Sequence, residues 1–285
     1  LEKTTMSPET LAITFGLSSA LTWGAGDFTG GFATKKGNVF AVIFFSQATG
    51  GGLLLAWQLI FGKGWPVADQ AIFGAVAGLC GAFGLVALYR GLASGRMGIV
   101  APLSAVMTAL VPMTFAFINH GLPEKFQLAG LGIALLAVWF LAGAHSGSIR
   151  INGELLLPLL AGVGFGLFFV CIERASKSGI AWALIMARAA SLSIFTSILF
   201  SRRLMALPEK KNLAWMALAG ILDMAGNAFF ALACQLGRLD VAAVLASLYP
   251  ASTVFLAWGL LKERLHPRQW VGVGAALCAL VLIAS

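Results

Sequence analysis

"ATKKG" at residues 33–37 returns as "ASKSG" at 175–179, an offset of 142 residues. At the same offset "AVAGL" (75–79) falls on "ALAGI" (217–221), and Gly84 on Gly226. Gly95-Arg96 falls on Gly237-Arg238, while Gln127, Gly130 and Gly132 fall on Gln269, Gly272 and Gly274. The register needs no gap from one end to the other. Chance similarity between apolar runs would not hold polar and glycine matches in one register, so the chain is an internal duplication.

Each copy is made of apolar segments. The chain is 59% hydrophobic and 11% charged over 285 residues, where a soluble domain carries roughly 25% charged residues. Its mean hydropathy is +0.91. A bilayer core about 30 Å thick needs roughly 20 apolar helical residues. Ten such segments are expected: 11–34, 38–61, 67–92, 99–120, 126–144, 154–174, 181–200, 213–236, 241–260 and 267–284. None shows strand alternation, and the loops are short. Pro102 and Pro112 in the fourth segment and Pro250 in the ninth are tolerable where neighbouring helices satisfy the freed backbone groups.

Five crossings per copy is an odd number, so the second copy enters the membrane upside down relative to the first. Inverted repeats of this kind are a hallmark of secondary transporters, with the solute site near the midplane at the repeat interface. The fold class read from the residues is therefore an all-α integral membrane protein with two inverted five-helix repeats, residues 11–144 and 154–284.

The net charge of +8 does not indicate nucleic acid. The cations sit in short clusters between apolar runs, such as Lys35-Lys36, Arg202-Arg203 and Lys210-Lys211, as loops beside lipid headgroups do. Cys80, Cys171, Cys234 and Cys278 lie singly inside apolar runs and read as small packed residues. His120, His145 and His266 form no ligand cluster, so no metal is expected. The glycines of "GAGDFTG" (24–30) lack dinucleotide-loop spacing, no strand precedes them, and no GxxxxGK[ST] occurs. No cofactor and no enzyme activity are expected.

Ionisable residues inside apolar segments cost about 2.5–3.5 kcal/mol to insert and usually have a partner. Asp27, Arg90, Arg188 and Asp223 need that account. At 1.5 Å per residue, Arg188 and Asp223 lie about 5 Å apart in depth on consecutive segments, and Arg90 closes the third segment on the face nearest Asp27. Arg188–Asp223 and Arg90–Asp27 are the expected pairs. They read either as structural ion pairs or as sites for a proton, a substrate amine and a substrate carboxylate; a solute competing for the arginine would couple binding to protonation. Trp23 stands one turn before Asp27, and Asn227 one turn after Asp223. Tyr89, Gln235, Tyr249, Ser46 and Gln47 complete the polar and aromatic candidates, packing being the alternative for each aromatic.

"WGAGDFTGGFATKK" (23–36), "ALYRGLASGRMGIVAPLSAV" (87–106), "ALACQLGRLDVAAVLASLYPA" (231–251) and "KERLHPRQWVGVGAALCALVLIA" (262–284) resemble the drug/metabolite transporter superfamily, specifically its ten-helix EamA-type members. The resemblance covers nearly the whole chain. Where relatives often carry a proline in the fourth helix, this chain has Thr108, which falls on Pro250 by offset. The resemblance implies a cavity lined by segments 1, 3, 4, 6, 8 and 9, with 5 and 10 as scaffold. It implies export of small metabolites such as amino acids, by alternating access, from a monomer in the plasma (bacterial inner) membrane, with proton coupling as one driving force. Sugars, nucleotide-like solutes or lipophilic cations are the alternative cargoes, and a non-transporting membrane subunit is the alternative role.

Six Lys and Arg lie on the side that holds both termini and twelve on the other. The positive-inside rule thus puts the termini outside, whereas similar transporters usually keep both in the cytoplasm. A compartment-specific reporter fused to Ser285 decides between them.

Overall fold

The structure is a computed structural model and describes residues 7–62, 64–94, 97–120, 125–142, 153–203, 208–237, 239–262 and 267–284. These residues form eleven helices and no strand. In order they are α1 (Pro8–Thr34), α2 (Val39–Phe61), α3 (Ala68–Ala93), α4 (Met97–His120), α5 (Lys125–Ala142) and α6 (Gly153–Ser176). Then follow α7 (Ile180–Ser201), α8 (Lys210–Leu236), α9 (Leu239–Ala246), α10 (Pro250–Leu261) and α11 (Pro267–Ala284). Five of them, α2, α3, α6, α7 and α8, are long and apolar enough to cross a membrane. Their outer faces are as apolar as their inner ones: Leu53, Trp57, Leu59, Ile60 and Phe61 of α2 are all exposed, as expected where lipid replaces water.

Short polar devices stop and restart the chain between helices. Pro8 opens α1 behind Ser7, whose hydroxyl accepts the Thr10 N–H at 3.2 Å. Asn38 opens α2 by accepting the Phe40 N–H at 2.9 Å. These side chains satisfy orphan donors at a helix start.

The sequence predicts one helix over 241–260; the structure has two. Residues 247–249 form a turn, with Leu248 and Tyr249 N–H donating three residues back, to Leu245 and Ala246. Pro250 has no N–H to continue the ladder and instead starts α10. At the equivalent place Thr108 keeps its N–H, its hydroxyl donates to the Ser104 carbonyl at 2.9 Å, and α4 runs on unbroken. One proline therefore breaks the likeness of the two halves.

Elsewhere the 142-residue offset governs packing. It carries α1, α2, α3 and α5 onto α6, α7, α8 and α11. Besides α4 with α6, the principal contacts are α1 with α8, α3 with α6, α3 with α7, α2 with α8, α5 with α11 and α2 with α7. Of these six, the offset exchanges the first with the second and the third with the fourth and maps the last two onto themselves, while α4 with α6 answers to α1 with α9 and α10. All run between the halves, so each copy folds chiefly against the other. Single atoms repeat the relation. A Cβ on Gly84 would meet Phe165 at 2.8 Å, and one on Gly226 would meet Trp23 at 2.5 Å; Phe165 is the offset partner of Trp23. The Asn212 amide donates to the Ala33 carbonyl at 3.2 Å, and the Gln70 amide, 142 residues earlier, donates to the Gly179 carbonyl at 3.1 Å. Helices α2 and α7 run antiparallel where they touch: Phe40 faces Phe195 and Gly51 faces Arg188.

Candidate functional site

Arg188 lies on the buried face of α7, nine-tenths covered. Its Nη2 donates to Asp223 Oδ2 of α8 at 2.5 Å. Its Nη1 donates to Gln47 Oε1 of α2. The same Gln47 oxygen accepts from Ser191 Oγ, one turn along α7, at 3.3 Å. Asn227, one turn along α8, donates to Asp223 Oδ1 at 3.2 Å and to its carbonyl at 2.6 Å. One guanidinium thus ties three helices through charge-assisted hydrogen bonds, the stronger kind in a low-dielectric interior. The glycine at 51 lets α2 come up against the aliphatic stem of Arg188, since a Cβ there would lie 3.1 Å from Arg188 Cβ.

This network forms one wall of a cavity enclosing about 570 Å³ of space free of protein atoms, its mouth included. Asp27 and Trp23 of α1 face it, with Thr108 of α4, Phe165, Phe168 and Phe169 of α6, and Tyr249 from the turn before α10. The Trp23 ring stacks on Phe169 at 5.4 Å and lies 5.7 Å from Phe230. The Tyr249 hydroxyl donates to the Ala101 carbonyl at 3.3 Å. Asp27 is 9% exposed, and its side chain has no ion-pair or hydrogen-bond partner among the described residues.

Of the eleven residues singled out from the sequence, seven line the cavity: Trp23, Asp27, Gln47, Arg188, Asp223, Asn227 and Tyr249. Four do not, Ser46 among them, its hydroxyl donating to the Ile43 carbonyl of its own helix at 3.0 Å. Arg90 is exposed and lies over the Phe40 ring at 5.1 Å, so the expected Arg90–Asp27 pair does not form. The cause is rotation: Arg90 leaves α3 on the outer side, while its neighbour Tyr89 turns inward and is fully covered. There the Tyr89 ring occupies the space a Cβ on Gly30 would need. Gln235 ends α8 and donates to the Ser176 carbonyl at 3.1 Å, closing a helix terminus away from the cavity. Gln47, noted in the sequence, is central. Ser191 was absent from the candidates; its place three residues after Arg188 on one helix face was the available signal. Phe168 and Phe169 sit in an apolar run where nothing marks them as lining residues.

The lining differs from the expected set of segments in one respect. Segments 1, 3, 4, 6, 8 and 9 all contribute, but α2 and α7 contribute too, through Gln47, Ala187, Arg188 and Ser191. Among the described residues α5 and α11 contribute none. No group of three or more His, Cys, Asp or Glu that could hold a metal occurs among the described residues. The His120 side chain, His145 and His266 lie outside them.

Fold and cavity together define a helical membrane protein of two related halves around a charged, aromatic-walled site. The EamA-like transporter family matches residues 10–143 and 152–285, two stretches whose starts and ends are each 142 residues apart, and the chain belongs to that family. Its members are membrane transporters. A solved crystal structure of a protein 17% identical in sequence has the same fold, with a TM-score of 0.67 over 96% of each chain. No curated protein matches the sequence.

Proposed function

We propose that the protein is a secondary-active transporter that exports small metabolites, amino acids being the first class expected, by alternating access around the Arg188 site. The observation that carries this reading is the bridge itself: Arg188 and Asp223 of the second half and Gln47 of the first meet at a cavity both halves line. Binding energy applied there acts on the seam between the two bodies that must move. Ten crossings in two inverted repeats, residues 11–144 and 154–284, are the frame for the motion. The antiparallel run of α2 against α7, equivalent helices of the two halves, supports inversion, because equivalents in a parallel repeat would point the same way. A monomer in the plasma (bacterial inner) membrane is sufficient, since each cavity wall comes from one chain.

Counterflow of radiolabelled solutes into proteoliposomes containing the full chain tests the reading. Exchange above that of empty liposomes is expected for at least one solute class, and no exchange for any class overturns it. Proton coupling is assigned to Asp27. An Asp27→Asn protein should lose proton-driven flux yet keep its melting temperature, because Asp27 holds no partner that folding needs; full proton-driven flux in that variant removes Asp27 from the coupling.

A further inference from the structure

The duplication gives each end of the bundle a counterpart at the other. At one end the last turn of α1 meets the first turn of α8: the Asn212 amide donates to the Ala33 carbonyl at 3.2 Å, and the Phe32 and Trp215 rings pack edge to face at 5.1 Å. Lys35 and Lys36 follow that turn of α1, and Lys210 and Lys211 open α8. Two lysine pairs, one from each half, therefore stand together, and all four side chains are exposed. The ion pairs among the described residues are Arg174–Asp69, Lys177–Glu173 and Arg188–Asp223, and none includes these lysines or the neighbouring Glu209. Lys36 lies over the Phe32 ring at 4.4 Å. At the other end the offset puts Lys177, Ser178, Ala68 and Asp69 in the same four places. There the charges are settled within the protein, Lys177 on Glu173 at 3.1 Å and Asp69 on Arg174 at 4.0 Å. The offset partners of Glu173 and Arg174 are Gly31 and Phe32, so the lysine end holds no such carboxylate. One crossing is neutral; its counterpart carries four like charges without an internal anion.

We propose that this junction binds an anionic phospholipid, its phosphate held between Lys35-Lys36 and Lys210-Lys211 and its acyl chains lying along the outer face of α8. Basic clusters beside apolar helices attract anionic headgroups, and an aromatic ring such as that of Trp215 suits headgroup level. Deeper on α8, Leu218 and Ile221 are exposed and offer the chains an apolar bed. A soluble anion would meet the lysines but would leave that bed unused, and a zwitterionic lipid brings its own cation to a site already rich in them. The phosphate would bridge the first half to the second at the α1–α8 seam. The site is separate from the Arg188 cavity and stands whether or not the protein transports.

Phosphatidylglycerol is the probe. Its binding to purified full-length protein in detergent is titrated by native mass spectrometry beside phosphatidylcholine, with and without inorganic phosphate. Phosphatidylglycerol is expected to bind more tightly than phosphatidylcholine and to resist displacement by phosphate at equal concentration. A lysine beside an anionic headgroup is worth about fivefold in affinity. Removing either pair, as Lys35→Gln with Lys36→Gln or Lys210→Gln with Lys211→Gln, should therefore weaken phosphatidylglycerol binding about thirtyfold, while arginine at the same positions should keep it. The side chains are exposed, so these variants should melt with the wild type in lipid-free detergent. Arg174→Gln with Lys177→Gln, at the opposite end, should bind the lipid as the wild type does. Equal binding of the two lipids overturns the proposal. Displacement by phosphate at equal concentration also overturns it, because the site then takes a free anion. Undiminished binding in both lysine-to-glutamine variants, or an equal loss in the opposite-end variant, removes the lipid from this junction and overturns the proposal as well.

Discussion

Arg188→Met is expected to lower stability by about 3–5 kcal/mol, the usual cost of removing one partner from a buried ion pair, and to abolish transport. Methionine keeps an unbranched apolar stem as far as the position of arginine's Nε, so the loss is chiefly that of charge and donors. Asp223 Oδ2 gives up its 2.5 Å partner and Gln47 Oε1 its Nη1 donor. What remains on α8 is a covered carboxylate held by Asn227 alone. The insertion cost of a lone intramembrane charge, about 2.5–3.5 kcal/mol, is of the same size. Removing both charges separates stability from function. Arg188→Met combined with Asp223→Leu should recover most of the lost stability while transport stays absent. Melting in detergent and counterflow on the same preparations check both statements. A single variant that melts with the wild type would show that the bridge contributes nothing to the fold.

Gly78→Ala and Gly220→Ala are the second pair of large effects. They are offset partners, and each lies where two backbones nearly touch. A Cβ on Gly78 would come within 2.0 Å of the Ala187 carbonyl oxygen, and one on Gly220 within 2.0 Å of the Ser46 carbonyl oxygen. A backbone oxygen cannot rotate away as a side chain can, so α3 must withdraw from α7, or α8 from α2. The expected cost is about 3 kcal/mol, the upper end for overpacking a well-filled interior, and transport should fall with it because both crossings flank the Arg188 wall. Gly52→Ala is the contrast. Nothing lies within 4 Å of a Cβ there, so the substitution should be neutral or gain up to about 1 kcal/mol from helix propensity. Equal melting temperatures for Gly78→Ala and Gly52→Ala would refute the close crossing.

These glycines also show why the architecture could be read from the chain. Close approach of two helices forbids a side chain, and that prohibition leaves a glycine that a duplicated sequence must keep in both copies. Gly78 with Gly220 and Gly84 with Gly226 are such pairs, and each performs the same task in its half. The Arg188–Asp223 bond was legible for a related reason: depth in a membrane helix is proportional to residue number. Azimuth is not, because each residue turns the helix by about 100° and the rotation of the whole helix depends on its neighbours. Tyr89 and Arg90 adjoin in sequence, yet Tyr89 is covered and Arg90 lies exposed over Phe40, so the expected Arg90–Asp27 pair does not form. The break before Pro250 was marked by the proline, but whether a proline bends a helix or divides it depends on local packing: Pro102 and Pro112 sit inside an unbroken α4. Phe168 and Phe169 look like any membrane phenylalanines until the α1–α6 geometry is known.

The central claim is that the Arg188 cavity opens to each side of the membrane in turn. Thr108→Cys, in a protein whose four native cysteines are alanine, places a single thiol on the cavity wall. Its reaction with a membrane-impermeant thiol reagent is measured in vesicles of each orientation. The account predicts labelling from both sides, with a transported solute shifting the balance between them. Labelling from one side only, whatever solute is present, would contradict it.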